Sequence, residues 1–291
     1  MNESKLEYPA LYTSADRGSA RAQFKFLWMI RTEYILLLVV SASLASADIF
    51  KQSRLTVTVL LVILAGLFVY KVVRKLDQDW YKCRALAESV KTLTWRFCMR
   101  AHPFVDADRI EIPKAAFRNQ LRGILKSNQA IAQELITPES EQVTVSMLDI
   151  RGLGLRERIA YYIANRVDDQ RRWYARKSVW NRRMLHVWVA ITIVIYVAAA
   201  LSLYSDELGY SGLSRLFDPL IVLVTSVLGW VQMKRHSELV ASYNLAAHEI
   251  GLIKGNAESV KTESEFSDFV NEAELAFSRE HTQWVARKDA T

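Results

Sequence analysis

The chain has 291 residues, of which 51% are hydrophobic and 24% are charged, and its formal net charge is +7. A single soluble domain could hold this length. The apolar residues, however, are concentrated in four uncharged runs instead of being spread along one side of each helix, namely residues 34–47, 55–70, 184–205 and 219–233. Only the third run reaches the roughly 20 residues that span a bilayer. The other three can span one if the charged residues at their ends reach the headgroups.

The first half of the chain reads as a polar tail, a membrane hairpin and further helix. Residues 1–23 are polar and lack the apolar segment of a signal peptide. The first helix is expected to begin near Phe24. After a turn, a second apolar helix is expected to run from Leu55 without a breaker to His102-Pro103, where proline stops it. Residues 104–138 are expected to add another helix with one apolar face.

The second half repeats this plan after a short irregular segment. The alternation in residues 142–150 predicts a short strand. A long basic helix is expected over residues 155–183, running directly into the third span. A fourth span and a second long helix follow, and an amphipathic helix is expected over residues 264–285. The predicted domains are residues 1–23, 24–138 and 139–291.

Matching small and basic residues indicate that the two hairpins are repeats. Gly66 and Gly229 are 163 residues apart, as are Lys71 and Lys234. On the first span, Ser41 and Ala45 are four residues apart, a spacing that lets another helix approach closely. We therefore expect Ser41, Ala45, Gly66 and Gly229 to be helix-packing positions.

An apolar rhythm of four and three residues follows each hairpin and predicts a long heptad helix. The first seam consists of Leu76, Trp80, Cys83, Ala87, Val90, Thr94 and Phe97. The second, at the same offset, consists of Leu239, Tyr243, Ala246, Ile250, Ile253, Ala257 and Val260. The two seams could pack on each other or on seams of other copies. The predicted fold class is therefore an all-α membrane protein, with two tandem hairpins each followed by a cytoplasmic heptad helix.

The distribution of charge predicts the orientation in the membrane. Residues 74–183 carry 22 Lys and Arg against 13 Asp and Glu, whereas the loops between paired spans hold few basic residues. The positive-inside rule then places both termini and the middle segment in the cytoplasm. Topology and contact with anionic lipid explain the basic excess better than nucleic-acid binding does.

Four ionisable residues flank the apolar runs and are candidate functional positions, namely Arg31, Glu33, Asp48 and Asp218. Because the spans are short, some of these residues must approach the hydrocarbon or thin the bilayer. Ionisable residues at that depth usually face a lumen or a partner. The alternative, a position among the headgroups, is the interpretation that we favour.

Enzymatic chemistry has no signature in this sequence. It contains no P-loop, no G-x-S-x-G and no H-E-x-x-H motif, and its five histidines are scattered. Cys83 and Cys98 have neither a CxxC partner nor histidines at zinc spacing. We therefore expect no catalytic residues, no cofactor and no metal.

Three segments resemble the SLATT superfamily of bacterial two-transmembrane effector domains. These segments are Tyr161 to Tyr174 (YYIANRVDDQRRWY), Arg84 to Lys91 (RALAESVK) and Glu274 to Trp284 (ELAFSREHTQW). The resemblance covers the chain beyond about residue 20 and fits two such units in tandem. It implies a pore-forming or membrane-perturbing effector of an antiphage conflict system, triggered by another component. It transfers no catalytic residues.

Two function hypotheses follow. In the first, a non-enzymatic, homo-oligomeric effector inserts in the bilayer and forms a pore or disrupts the membrane when a nucleotide-signalling or sensor partner triggers it. In the second, the chain is a membrane-anchored scaffold or signal receiver, in which the basic segment 151–183 docks a cytoplasmic partner without conduction. An intramembrane enzyme is disfavoured because the apolar runs lack convergent His, Asp and Glu.

Overall fold

The structure, a computed structural model, describes residues 5–46, 53–106, 108–135, 141–210 and 212–289. Every regular element within these ranges is helical. The α-helices there are α1 (Ala10–Ala45), α2 (Ser53–Arg74), α3 (Leu76–Cys98), α4 (Glu111–Ser127), α5 (Val145–Gly152), α6 (Leu155–Tyr162), α7 (Asp168–Leu203), α8 (Phe217–Lys234), α9 (His236–Asn256) and α10 (Glu263–Asp289). A π-helix, Ile163–Val167, joins α6 to α7, and short 3-10 turns occupy Gln129–Glu134, Leu213–Leu216 and Ala257–Ser259.

Four helical stretches are long and apolar enough to cross a membrane, which confirms the four apolar helices expected from the sequence. They are Ala10–Ala45, Arg54–Cys98, Leu155–Leu203 and Leu213–Ser259. Their length and hydropathy make the chain a membrane protein, since the backbone polar groups of a helix bond to one another and need no water.

The chain divides into two compact units. We call Met1–Gln23, Asp77–Ala175 and Leu245–Thr291 the head unit, and Phe24–Leu76 and Arg176–Asn244 the span unit. The span unit contains the apolar runs, and its small buried cluster consists of Ile195, Val224 and Val227.

The head unit has a dense aromatic core. Phe97 of α3 packs on Phe117 of α4 with ring centroids 4.9 Å apart, and Phe104 lies 5.7 Å from Phe97. Trp95 meets Tyr162 edge-on at 5.6 Å. Edge-to-face pairs of this kind add stability beyond the area that they bury. Helix α3 is therefore buried on more than its heptad seam.

The expectation of a polar tail is wrong. Helix α1 begins at Ala10 instead of near Phe24, and its first turns bury small side chains in the head unit, namely Ala10, Ser14, Ala15, Ser19 and Ala22. These recur at helical spacing on one face, but serine and alanine give only a weak apolar signal in sequence. The preceding residues are also held in place, because the Glu7 N–H donates to Ser146 Oγ at 2.9 Å and the Thr144 hydroxyl donates to the Glu7 carbonyl at 2.8 Å.

The expected strand in residues 142–150 is also wrong, because α5 occupies most of it. Thr144 caps this helix by accepting a hydrogen bond from the Met147 N–H at 3.3 Å. Threonine is a preferred N-cap residue, and this signal outweighs an alternation of only a few residues.

One left-handed residue separates each of the second and fourth spans from the long helix after it, which differs from the expectation of an unbroken second helix. Lys75 separates α2 from α3 with φ 45°, and Arg235 separates α8 from α9 with φ 48°. Each N–H still reaches a carbonyl of the preceding turn, Lys71 O at 3.2 Å and Val231 O at 3.1 Å. A left-handed residue that closes a helix in this way is a common C-terminal cap. Both breaks come directly after a basic residue in the last turn of a span, Arg74 in α2 and Lys234 in α8.

Candidate functional site: a buried ion pair and the ends of the spans

A buried ion pair occupies the core of the head unit. The π-helix carries Arg166, whose Nε donates to Glu274 Oε1 at 2.8 Å and whose Nη2 donates to Oε2 at 2.6 Å. Both side chains are almost fully buried, at 2% and 0% exposure. Two parallel hydrogen bonds from one guanidinium are the strongest arrangement for an arginine and a carboxylate. The pair is also presented by a π-helical turn, an element that is frequent at functional sites.

Two hydroxyls complete the coordination of this carboxylate. The Tyr162 hydroxyl donates to Glu274 Oε1 at 2.9 Å, and the Thr92 hydroxyl donates to Oε2 at 2.9 Å. The Arg166 guanidinium also lies 4.8 Å from the centre of the Phe277 ring. Four donors thus satisfy one buried carboxylate, as burial of a charge requires.

Nearby, a second polar contact fixes the start of the chain. Trp95 Nε1 donates to the Tyr8 hydroxyl at 3.0 Å. Burial raises the pKa of Tyr8, opposed by the positive charge of Arg166. The phenol is therefore neutral at physiological pH and acts as a hydrogen-bonding group instead of a base.

Two further buried arginines hold the chain that follows α3. Arg151 donates to the carbonyls of Phe97 at 2.6 Å, Phe104 at 2.8 Å and Asp106 at 2.5 Å. Burial and the neighbouring Arg100 lower the pKa of Arg151 to about 10, so that it still carries its charge at neutral pH. Arg158 donates to the Met99 carbonyl at 2.9 Å and pairs with Glu263. These arginines satisfy main-chain groups left free where a helix ends.

The head unit also has an open cleft of about 400 Å³ beside the π-helix. Ile163 lines one part of it, and Gly251 and Gly255 of α9 line another without side chains. Lys254 at its edge is engaged, since its Nζ lies 2.9 Å from both carboxylate oxygens of Asp168.

In the span unit, the charged residues at the ends of the apolar runs contact one another. Glu33 of α1 accepts from Lys71 Nζ of α2 at 2.6 and 2.8 Å. The Arg31 guanidinium lies 5.2 Å from the ring centre of Trp230 in α8, and Lys234 Nζ lies 4.8 Å from that centre. Two of the predicted edge charges, Arg31 and Glu33, thus lie at helix contacts.

The other two predicted edge charges do not join this group in the described residues. Asp218 is exposed in the first turn of α8, and Asp48 lies outside the described residues. The expected domain boundary at residues 138 and 139 lies outside them as well.

The four predicted packing positions differ in their surroundings. Gly229 lies under Tyr34, whose hydroxyl is 2.7 Å from the place a Cβ would take. Gly66 has open space at the same place, although it matches Gly229 in sequence. Ser41 is buried and Ala45 is half-buried. Whether these positions pack copies of the chain together stays a prediction.

The first seam is more deeply buried than the second. In α3 its buried members are Leu76, Cys83, Ala87, Val90, Thr94 and Phe97, and Trp80 is half-buried. In and after α9, Ala246, Ile250 and Ala257 are buried, whereas Leu239, Tyr243, Ile253 and Val260 are half-buried. Val260 cannot be a heptad position of this helix, because α9 ends at Asn256 and Val260 is extended.

Among the described residues, no group of three or more His, Cys, Asp and Glu is arranged to hold a metal ion. Cys83 and Cys98 are buried and are not joined in a disulfide. The polar side chains that do converge, around Glu274, are hydrogen-bonded to one another.

Sequence reasoning missed the pair of Arg166 and Glu274, although a signal for it exists. Glu274 falls on the apolar face of the last helix, between Val270 and Phe277, where an unpaired carboxylate would be costly. A carboxylate at this position therefore predicts a buried cation as its partner. No local pattern, however, identifies Arg166 among the many arginines of residues 151–183.

Comparison with known families assigns both halves of the chain. Residues 9–159 match the SMODS and SLOG-associating 2TM effector domain 3, and residues 162–284 match the SMODS and SLOG-associating 2TM effector domain 1. No curated protein and no solved structure matches the chain. Because two such domains follow one another over nearly its whole length, the chain belongs to the SLATT family of two-transmembrane effector domains, in a tandem arrangement.

Proposed function

We propose that this chain is a non-enzymatic membrane effector of a bacterial conflict system, which oligomerises and forms a pore or disrupts the inner membrane when a partner or nucleotide signal triggers it. One observation carries the proposal. Only 6% of the residues in the most apolar windows of Arg54–Cys98 and Leu155–Leu203 are buried within the chain. These spans leave most of their surface to lipid or to other copies.

Each domain contributes a membrane hairpin in this proposal. The contact of Glu33 with Lys71 supports pairing of α1 with α2, since it joins the start of one apolar run to the end of the next. In the second domain, Asn181 Oδ1 of α7 lies 2.8 Å from Nδ1 of His236, the first residue of α9 and two residues after the end of α8. Ends that meet in this way fit antiparallel helices with both chain termini in the cytoplasm.

Oligomerisation follows from the small core of the span unit. Within one chain, Ile195, Val224 and Val227 form its buried cluster, and four thinly packed helices rarely enclose an aqueous path. In a membrane, small residues such as Gly66 let helices of other copies approach closely. Several copies would be needed to surround a channel.

The trigger would act through the head unit. Its buried ion pair and aromatic core give it the packing of an independent domain, and a rigid domain can transmit the binding of a partner. The family implies such a partner through its association with nucleotide-signalling proteins.

Membrane potential in living bacteria tests this function. The full chain would be induced with and without its neighbouring genes, and a potential-sensitive dye and a membrane-impermeant DNA stain would be followed over time. Depolarisation that precedes staining supports a pore, and simultaneous signals support gross disruption. An intact potential under every triggering condition contradicts both.

Purified protein in liposomes separates the effector from the scaffold. Release of a small entrapped dye by the oligomeric protein supports the proposal. Oligomers that release neither ions nor dye, yet bind a cytoplasmic partner, would favour the membrane-anchored scaffold.

A further inference from the structure

One aromatic ring in the span unit is approached by two cations. Trp230 and Lys234 are four residues apart on α8, so that their side chains share one face of the helix, and Lys234 Nζ lies 4.8 Å from the ring centre. The Arg31 guanidinium of α1 lies 5.2 Å from the same centre. Two positive charges are thus held within about 5 Å of one indole.

The nearest acid on α1 does not neutralise this pair. Residues two apart on a helix point in nearly opposite directions, and Glu33 pairs with Lys71 of α2, whereas Arg31 reaches Trp230 of α8. Tyr34 shares the face of Arg31, because it is three residues further on, and it packs over Gly229 of α8. In the described part of the chain, neither Arg31 nor Lys234 has a carboxylate within ion-pair distance.

We propose that Arg31 and Lys234, placed around Trp230, bind the phosphate of an anionic phospholipid. A phosphate would neutralise two neighbouring cations that otherwise repel each other. Arginine and lysine are the usual ligands of this group, and the indole gives the site an apolar wall.

The position of the site favours a lipid over a soluble phosphate. Arg31 precedes the uncharged run of residues 34–47 by one helical turn, and Lys234 directly follows the run of residues 219–233. Headgroups lie at the ends of membrane spans, where tryptophan is also enriched. The exposed side chain of Leu228, which lies six residues before Lys234 and within the apolar run, is available to the acyl chains. The inference goes beyond the proposed function, since it requires membrane insertion but no conduction.

Native mass spectrometry of the purified full chain in detergent tests the site with added phosphatidylglycerol. We expect Arg31→Gln and Lys234→Gln each to weaken lipid binding about tenfold, because each removes a charge-assisted bond to phosphate. The matched control is Arg74→Gln, which removes an exposed charge from the end of α2 and should cost no more than about threefold. Equal weakening by all three variants would mean a diffuse positive surface and would overturn the site.

Two further measurements test whether charge and the lipid headgroup decide binding. Arg31→Lys keeps the charge and should retain most of the binding, whereas a loss equal to that of Arg31→Gln would overturn the proposal. Phosphatidylcholine should bind the wild type no more tightly than it binds Lys234→Gln. If phosphatidylcholine were preferred over phosphatidylglycerol regardless of these charges, that result would count against a phosphate-binding pair. Displacement of phosphatidylglycerol by millimolar glycerol 3-phosphate would assign the site to soluble phosphates and overturn the lipid assignment.

Discussion

Arg166 and Glu274 are 108 residues apart in sequence, and their side chains form a two-bond ion pair in the core of the head unit. Arg166 belongs to the segment of residues 161–174, and Glu274 begins the segment ELAFSREHTQW. Both segments carry the likeness to the family. The structure therefore joins, through one buried contact, two motifs that look unrelated in the sequence.

Removing the charge of Glu274 should destabilise the head unit strongly. Glu274→Gln leaves the Arg166 guanidinium buried without a counter-charge, and breaking a buried pair in this way costs about 3–5 kcal/mol. We expect a markedly lower denaturant midpoint for the purified protein in mild detergent, followed by tryptophan fluorescence.

The matched control for Glu274→Gln is Lys254→Gln, which removes another long-range ion pair of the head unit. Lys254 and Asp168 are 42% and 22% exposed, so water replaces the lost partner. The expected cost is less than about 1 kcal/mol. Similar unfolding midpoints for the two variants would contradict a structural role for the pair.

Long, regular patterns in the sequence predicted the fold better than short ones did. Uninterrupted apolar runs predicted the four long helices, and the face that begins with Phe266 predicted α10. The short alternation of residues 142–150 failed because a single cap, Thr144, decides the structure there.

The candidate sites were only partly predictable. Arg31 and Glu33 were identified because charges at the end of an apolar run are conspicuous, but their different partners on α8 and α2 depend on three-dimensional packing. The π-helix that presents Arg166 has no signature in residue type. The side chains of Tyr162 and Arg166, at its two ends, both donate to Glu274, which lies 112 and 108 residues further along the chain.

Gly229 should tolerate a larger residue only when Tyr34 is shortened. A Cβ at Gly229 would lie 2.7 Å from the Tyr34 hydroxyl oxygen and 3.4 Å from Cζ. We expect Gly229→Ala to lower the thermal midpoint of the detergent-solubilised protein, and Tyr34→Phe combined with Gly229→Ala to restore it. Additive effects of the two changes would contradict this contact, since residues in contact couple energetically.

Gly66→Leu provides the corresponding test between copies of the chain. Gly66 has open space within the chain, so that the larger side chain should leave the thermal midpoint of the monomer unchanged. If oligomers use this face, leucine should reduce their size in detergent by blocking close approach. Unchanged oligomers would remove Gly66 from the assembly surface.

The helix break at Arg235 should prefer glycine and reject a β-branched residue. With φ 48° the residue is left-handed, a conformation that costs a side chain about 1–2 kcal/mol and is worst for branched ones. We expect Arg235→Gly to unfold no earlier than wild type and Arg235→Val to unfold earlier. Ser237→Val, at an exposed position in the first turn of α9, is the control for valine itself. Equal midpoints for the two valine variants would mean that the break is not strained.

Cysteine labelling from outside the cell should reach the loop between the third and fourth spans and miss the head unit. Glu207→Cys is exposed in that loop and should react with an impermeant maleimide, whereas Asn119→Cys and Asp268→Cys, exposed in the head unit, should react only after lysis. The natural thiols of Cys83 and Cys98 are buried and give little background. Labelling of Asn119→Cys in intact cells would contradict a cytoplasmic head.

A charge in the first seam should separate insertion from activity. Val90 is fully buried in α3, and an unpaired carboxylate there costs several kcal/mol. We expect Val90→Asp to reach the membrane at normal abundance, because no apolar run is altered, but to lose depolarising activity because the head unit no longer packs.

The neighbouring Lys91 is unsuitable as a control for Val90→Asp, since its side chain is only 18% exposed and its Nζ lies 3.9 Å from Glu88 Oε2. The matched control is Ser89→Asp, an exposed position one residue earlier, which should keep activity because exposed substitutions rarely cost more than about 0.5 kcal/mol. If Val90→Asp depolarises cells as Ser89→Asp does, the packing of α3 has no part in controlling the spans, and the head unit serves another purpose than gating.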